Sequence, residues 1–209
     1  MELELVISFI GASIILSLIP GPDNIFVLTE SLTKGQKNGV AISIGLSLGV
    51  LVHTLAAATG LSIIIQKSAF VFSIIKYLGA GYLFYLAFMT LREKKTDFKL
   101  QSNTVPEEVK IKSLIKKGFL MNVLNPKVSL FFIAFLPQFI SANGYDITLQ
   151  MTILGILFMI QAFLIFLLVS FLSSKLTRYV SNPKFWLITK WSKVCVLSLL
   201  GIALLLSKK

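Results

Sequence analysis

Long runs free of charge limit this chain more than any other feature. Six stretches are almost continuously apolar: Leu3–Thr29, Gly39–Ile65, Phe70–Leu91, Phe119–Ile140, Ile147–Leu172 and Trp186–Leu206. A helix needs roughly 20 such residues to cross a hydrocarbon core. With 56% hydrophobic residues and a mean hydropathy of +0.85, the 209 residues carry more apolar surface than a soluble domain of this size can bury. Barrel strands alternate in polarity and are far shorter. The expected fold is an all-α integral membrane protein with six transmembrane helices. The sixth run is the weakest, because Lys190 and Lys193 interrupt its start and Val194–Leu206 alone is short for a crossing. Their stems would snorkel to the headgroups, with Trp186 and Trp191 at the interface. The first run opens with Glu2 and Glu4, is too long for a signal peptide and has no small-x-small cleavage site, so it is expected to be retained.

The net charge of +11 reads as topology. The loop after span 1 has Lys34 and Lys37, and the stretch from Arg92 to Lys117 has eight basic residues. The loop after span 5 has Lys175, Arg178, Lys184, Lys190 and Lys193. The loop after span 2 has only Lys67 and Lys76, and the loop after span 4 has none. By the positive-inside rule, loops 1, 3 and 5 are cytoplasmic and both termini lie outside. The basic loops suit anionic membrane lipid. Nucleic acid is not an expected partner, since no basic motif with interleaved aromatics appears. The lone cysteine, Cys195, allows no internal disulfide and no multi-cysteine metal site. No cofactor is expected.

Arg92–Lys117 divides the chain into residues 1–91, a first three-helix repeat, residues 92–118, a cytoplasmic linker, and residues 119–209, a second three-helix repeat. Thr96–Pro106 is polar and reads as a flexible linker. Val109–Lys117 mixes Val and Ile with Lys, and suits a short interfacial helix or a solvated basic loop equally. Three spans per half means that the second half enters the membrane in the opposite sense. Inverted repeats of this kind place their sites on discontinuous helices at the repeat interface.

The first span of each half is broken. Pro20-Gly21-Pro22-Asp23-Asn24 interrupts span 1, and Asn122-Val123-Leu124-Asn125-Pro126-Lys127 interrupts span 4. Pro22, Pro20 and Pro126 each lack an N–H and free the carbonyls of Leu18, Leu16 and Asn122. In lipid, freed carbonyls persist only where protein or a water-lined cavity satisfies them. A charge at that depth marks a site. Asp23 falls about 9 Å, and Lys127 about 12 Å, inside the cytoplasmic ends of these runs at 1.5 Å per residue. An acid and a base from opposite halves are therefore expected at similar depth. Asn24, Asn122 and Asn125 could satisfy freed carbonyls or line the path. His53 lies on the row Ala41, Gly45, Gly49, His53, Ala57, whose small residues let helices approach closely, so it should face protein. It reads as an interhelical hydrogen bond or as a proton relay. The same row would serve packing within one chain or within a homo-oligomer. Gln138 and Gln161 are expected to bridge helices, and Tyr77, Tyr82 and Tyr85 to pack or anchor.

On these residues the chain resembles the LysE/RhtB family of amino-acid exporters (threonine, homoserine and leucine efflux). The resemblance rests on Pro20-Gly21-Pro22-Asp23-Asn24 and on Asn125-Pro126-Lys127, continuing to Phe131-Phe132 and Leu136-Pro137-Gln138-Phe139. It is supported by Gly45, Gly49, His53 and Gly60-Leu61, and by Tyr77-Leu78-Gly79-Ala80 with Tyr82-Leu83. The resemblance implies six spans in a prokaryotic cell membrane and proton-driven export of small amino acids, not an enzyme. Asp23 and Lys127 would then receive the ammonium and carboxylate of a zwitterion, or pair with one another. Asp23 and His53 are the candidate proton carriers. Export of another small metabolite or a cation is the alternative. An intramembrane enzyme has little support, since the sequence shows no paired carboxylates, no His-Glu-x-x-His motif and no nucleophile with a placed base. A scaffold would not need a charge in each broken helix. Asn182-Pro183-Lys184 repeats the second motif in a loop and reads as a turn.

Overall fold

Proline and glycine set where the helices stop. The computed structural model describes residues 2–19, 21–93, 110–141, 144–173, 175 and 183–206, and every element among them is helical. Helix α1 (Leu3–Leu18) stops before the first break, and α2 (Pro22–Lys34) restarts beyond it with its axis turned by 57°. Pro20 lies outside the described residues. Pro22 takes the first position of α2, where a missing N–H loses no helical bond. Gly35, at φ +91°, turns the chain directly into α3 (Gln36–Ala56); glycine adopts this left-handed backbone without strain.

Helix α3 continues through a π-helical turn, Ala57–Leu61, into α4 (Ser62–Lys67). Helix α5 (Ala69–Arg92) follows, capped by the Ser68 hydroxyl, which accepts the Val71 N–H at 3.2 Å. Lys76, read from the sequence as a loop residue, lies inside α5 and is buried. The apolar run on either side carries the helix past it, and its ammonium sits 5.1 Å from the Tyr77 ring centre.

The second half begins with α6 (Ile111–Val123). Residues 111–117, expected as an interfacial helix or basic loop, form its first half. Leu114 is buried and Gly118 meets α3, which draws the segment into the fold. Val109 and Thr96–Pro106 lie outside the described residues. After the break come α7 (Pro126–Leu130), a π-helical turn, Phe131–Phe135, and a 3-10 turn, Leu136–Phe139. The axis bends by 48° here. Helix α8 (Ile147–Phe171) starts at Asp146, whose carboxylate accepts the N–H groups of Thr148 and Leu149 at 2.9 and 3.3 Å.

Helix α9 (Pro183–Leu206) ends the described chain. It runs unbroken past Lys190 and Lys193, and Leu187–Leu206 is long and apolar enough to cross. Lys190 Nζ donates to the Glu93 carbonyl at 3.0 Å, and Lys193 Nζ meets the Glu93 carboxylate at 3.2 Å. Both cations are thus tied to the end of α5. Trp191 is exposed; the Trp186 side chain and Asn182 lie outside the described residues. Four helices are long enough to span on their own, and counting each bent pair as one span gives six.

Helices α3 and α8 pack against each other at the centre. Helix α6 lies along α3, α1 along α8, α2 against both α3 and α8, and α5 with α9 forms an outer pair. Exchanging the halves turns the α3–α6 contact into the α8–α1 contact, and leaves the α3–α8 and α5–α9 contacts unchanged. The α3–α6 contact is backbone to backbone: a Cβ at Gly45 would overlap the Ile115 carbonyl, and one at Gly118 the Ile42 carbonyl. The small-residue row of α3 therefore seats α6.

Candidate functional site

The two breaks meet. Asn125 caps the start of α7: its Oδ1 accepts the Lys127 N–H at 3.0 Å. Its Nδ2 crosses to the first half and donates to Asp23 Oδ2 at 2.6 Å. One amide thus starts a helix of one half and holds the acid of the other. Asp23 is buried in the first turn of α2, where the helix dipole favours negative charge.

Lys127 reaches in the opposite direction. Its Nζ donates to the carbonyls of Leu16 and Ile19 at 3.1 and 3.4 Å. These carbonyls close the C-terminal end of α1, where the dipole favours a cation. The Leu16 carbonyl is the one that Pro20 deprives of a helical partner. Asn24 Nδ2 fills the neighbouring positions, donating to Ser17 O at 2.9 Å and Ile19 O at 3.1 Å. Asp23 and Lys127 are not hydrogen-bonded to each other, but each lies within Coulombic reach of the other. Each charge is held by the other half's break.

The carbonyl freed by Pro126, that of Asn122, also finds a partner across the fold. His53 Nε2 approaches it at 3.1 Å, and since a carbonyl only accepts, this nitrogen carries the proton. The imidazole rests 5.7 Å from the Phe132 ring centre. His53 thus faces protein and bridges α3 to α6. Gln161 bridges too, donating to Ser17 Oγ at 3.0 Å and to Ser13 O at 3.4 Å. Gln138 does not bridge: its amide folds back on Ala134 O of its own segment at 3.4 Å. Tyr77 and Tyr85 are exposed on α5, in the manner of anchors, and the Tyr82 and Tyr85 rings lie 5.6 Å apart.

Asp23, Lys127, Asn122 and Ser17 line one small cavity with Leu16, Val128, Phe158, Ala162 and Phe166. About 10 Å³ of it is open to the centre of a water molecule, room for one water. Phe158 of its wall stacks on Phe131 and Phe132, which with Phe9, Phe135 and Phe139 form one aromatic cluster with ring centres 5.2–6.3 Å apart. Inside the cavity wall, Asn122 Oδ1 has no donor, and nearby Asn24 Oδ1 and Gln161 Oε1 have none either.

Ser17 and the carbonyls of Leu16 and Ile19 were not singled out from the sequence. A backbone carbonyl has no residue signature, although its place before a proline is a usable signal. Glu30 is another buried acid that the sequence reading passed over; it pairs with Lys34 at 3.3 Å one turn along α2. Its i,i+4 spacing to Lys34 was the available signal. Among the described residues no three His, Cys, Asp or Glu side chains gather as a metal site would require.

Four apolar helices and two bent helix pairs, the pairs broken around a buried acid and a half-buried base, define a polytopic membrane protein with an internal polar site. More narrowly, the chain belongs to the LysE type translocator family, which matches residues 14–208. It is 34% identical over 185 residues to the uncharacterized membrane protein YrhP of Bacillus subtilis, covering 86% of this chain and 88% of that one. It is 27% identical over 207 residues to an uncharacterized membrane protein of Vibrio cholerae, covering 99% and 98%. No solved structure matches. Membership in this family makes the protein a membrane translocator.

Proposed function

We propose that the protein exports small neutral amino acids from the prokaryotic cytoplasm by alternating access, in exchange for protons. The carrying observation is the meeting of Asp23 and Lys127, from opposite halves, at one cavity. A zwitterion presents the two complementary charges. Broken-helix ends add dipoles of matching sign at the same place.

In this reading residues 1–91 and 119–209 are inverted repeats, joined by the cytoplasmic segment 92–118. Loops 1, 3 and 5 face the cytoplasm, in contact with anionic lipid, and both termini face out. The cavity admits a water and no amino acid, which fits a closed state without cargo. Asn24, Asn122 and Asn125 would exchange some of their present partners for substrate on opening. Asp23 and His53 are the groups available to carry the proton.

Profiling amino acids inside cells and in the medium, with and without overexpression, tests this reading. One or more neutral amino acids should fall inside and rise outside. Asp23→Asn should abolish that efflux, by at least about tenfold, while inserting at normal levels. Full efflux by a normally inserted Asp23→Asn protein would overturn the role of the acid.

A further inference from the structure

We propose that the oxygen cluster at the end of α1 is a binding site for a monovalent cation, best suited to a primary ammonium, and that Lys127 is its tethered occupant. The proposal rests on the export reading and adds how cargo and lysine share one site.

Among the described residues, Lys127 Nζ donates to backbone carbonyls, those of Leu16 and Ile19. An ammonium held this way does what a bound cation does at an interrupted helix, where unwound carbonyls and half-helix C-termini form the coordination site. The surrounding wall is acceptor-rich. Asp23 and Asn122 both line the cavity. Asn122 is 1% exposed, and its Oδ1 has no donor. Lys127 is the single cation lining this cavity.

The consequence is an exchange of partners. A cargo ammonium arriving at the carbonyls displaces Lys127. The released ammonium then points into the cavity, where the cargo carboxylate lies. Without cargo, Lys127 returns and the site is filled, so no small cation passes. The charge held by the cluster is the same in both states, and the lysine converts cargo binding into movement of α7 against α1.

Thermal unfolding of the purified full-length protein in lipid nanodiscs tests this, in methylammonium, sodium or choline chloride at equal ionic strength. The native protein should respond to all three alike, because its site is occupied. Lys127→Ala empties the site, so methylammonium should raise its Tm over choline by about 3–6 °C at tenfold saturation. Lys127→Gln, whose amide can still donate to the carbonyls, should respond weakly or not at all. A rise with sodium and none with methylammonium would assign the same oxygens to a metal cation. No rise of Lys127→Ala with either cation overturns the proposal. If Lys127→Ala is recovered poorly, recovery in methylammonium becomes the readout: restored yield supports the site, and unrestored yield overturns it. Cation binding by Lys127→Ala, together with no fall inside and no rise outside of any amino acid when the native protein is overexpressed, would retain the site and reject the export reading.

Discussion

Asn125 is the residue on which the two halves depend most directly, because its two amide atoms serve different halves. The cap and the cross-fold donor can be separated. Asn125→Ser keeps an oxygen able to cap α7 but is too short to reach Asp23. Asn125→Ala loses both. Losing the donor to a buried carboxylate costs about 1–3 kcal/mol, and losing the cap about 1 kcal/mol more. Thermal unfolding should therefore rank native above Ser above Ala, with a few degrees between steps. Equal Tm values for Ser and Ala would show that the cap carries nothing. At this scale the sequence was legible where chemistry is unusual for its surroundings. A carboxylate, an ammonium and three asparagines beside prolines inside apolar runs have few explanations in lipid. Which atoms they touch was not legible. The two charges are met chiefly by the opposite break's amide and carbonyls, and that depends on how far each helix end unwinds. Gln138 was misread for a similar reason: an amide beside a 3-10 turn can satisfy itself locally.

Among the elements, α3 and α6 make the contact least tolerant of change. Gly45 faces the Ile115 carbonyl without room for a Cβ, whereas a Cβ at Gly11 on α1 would meet nothing within 4 Å. Gly45→Val should cost at least ~1–3 kcal/mol by overpacking. Gly11→Ala should be neutral or mildly stabilising, as alanine is the better helix former. Surviving fraction after heating in detergent distinguishes them, and a stable Gly45→Val protein would mean the helices can part at little cost. The packing of this row was readable from its four-residue period. Helix lengths were less so. Apolar runs report what lipid requires, and α2, α3 and α6 extend beyond those runs because they pack on one another; Gly35 and Gly118 permit that. A count of basic residues by loop places Lys76 in the second loop, and its contact with the Tyr77 ring inside α5 is invisible to such a count.

For the molecule as a whole, swapping the halves exchanges the α3–α6 contact for α8–α1, whereas the α2–α3 contact has no comparable counterpart on α8. The halves do not pack equivalently. The first meets through glycine and bare backbone, the second through serines and Gln161. That asymmetry divides the molecule mechanically. Under the proposed alternating access, helices α3 and α6 should act as a keel, a rigid spine that cannot flex without breaking backbone contact, and α1 with its aromatic neighbours should be the hull that tilts against it. Spin labels at exposed Leu48 and Leu120, one on each side of the keel, should keep their separation when cargo is added. Labels at exposed Ile7 and Ile133 should change theirs. If the first pair moves and the second stays fixed, the seam along which this protein opens runs through its glycines and not beside its phenylalanines.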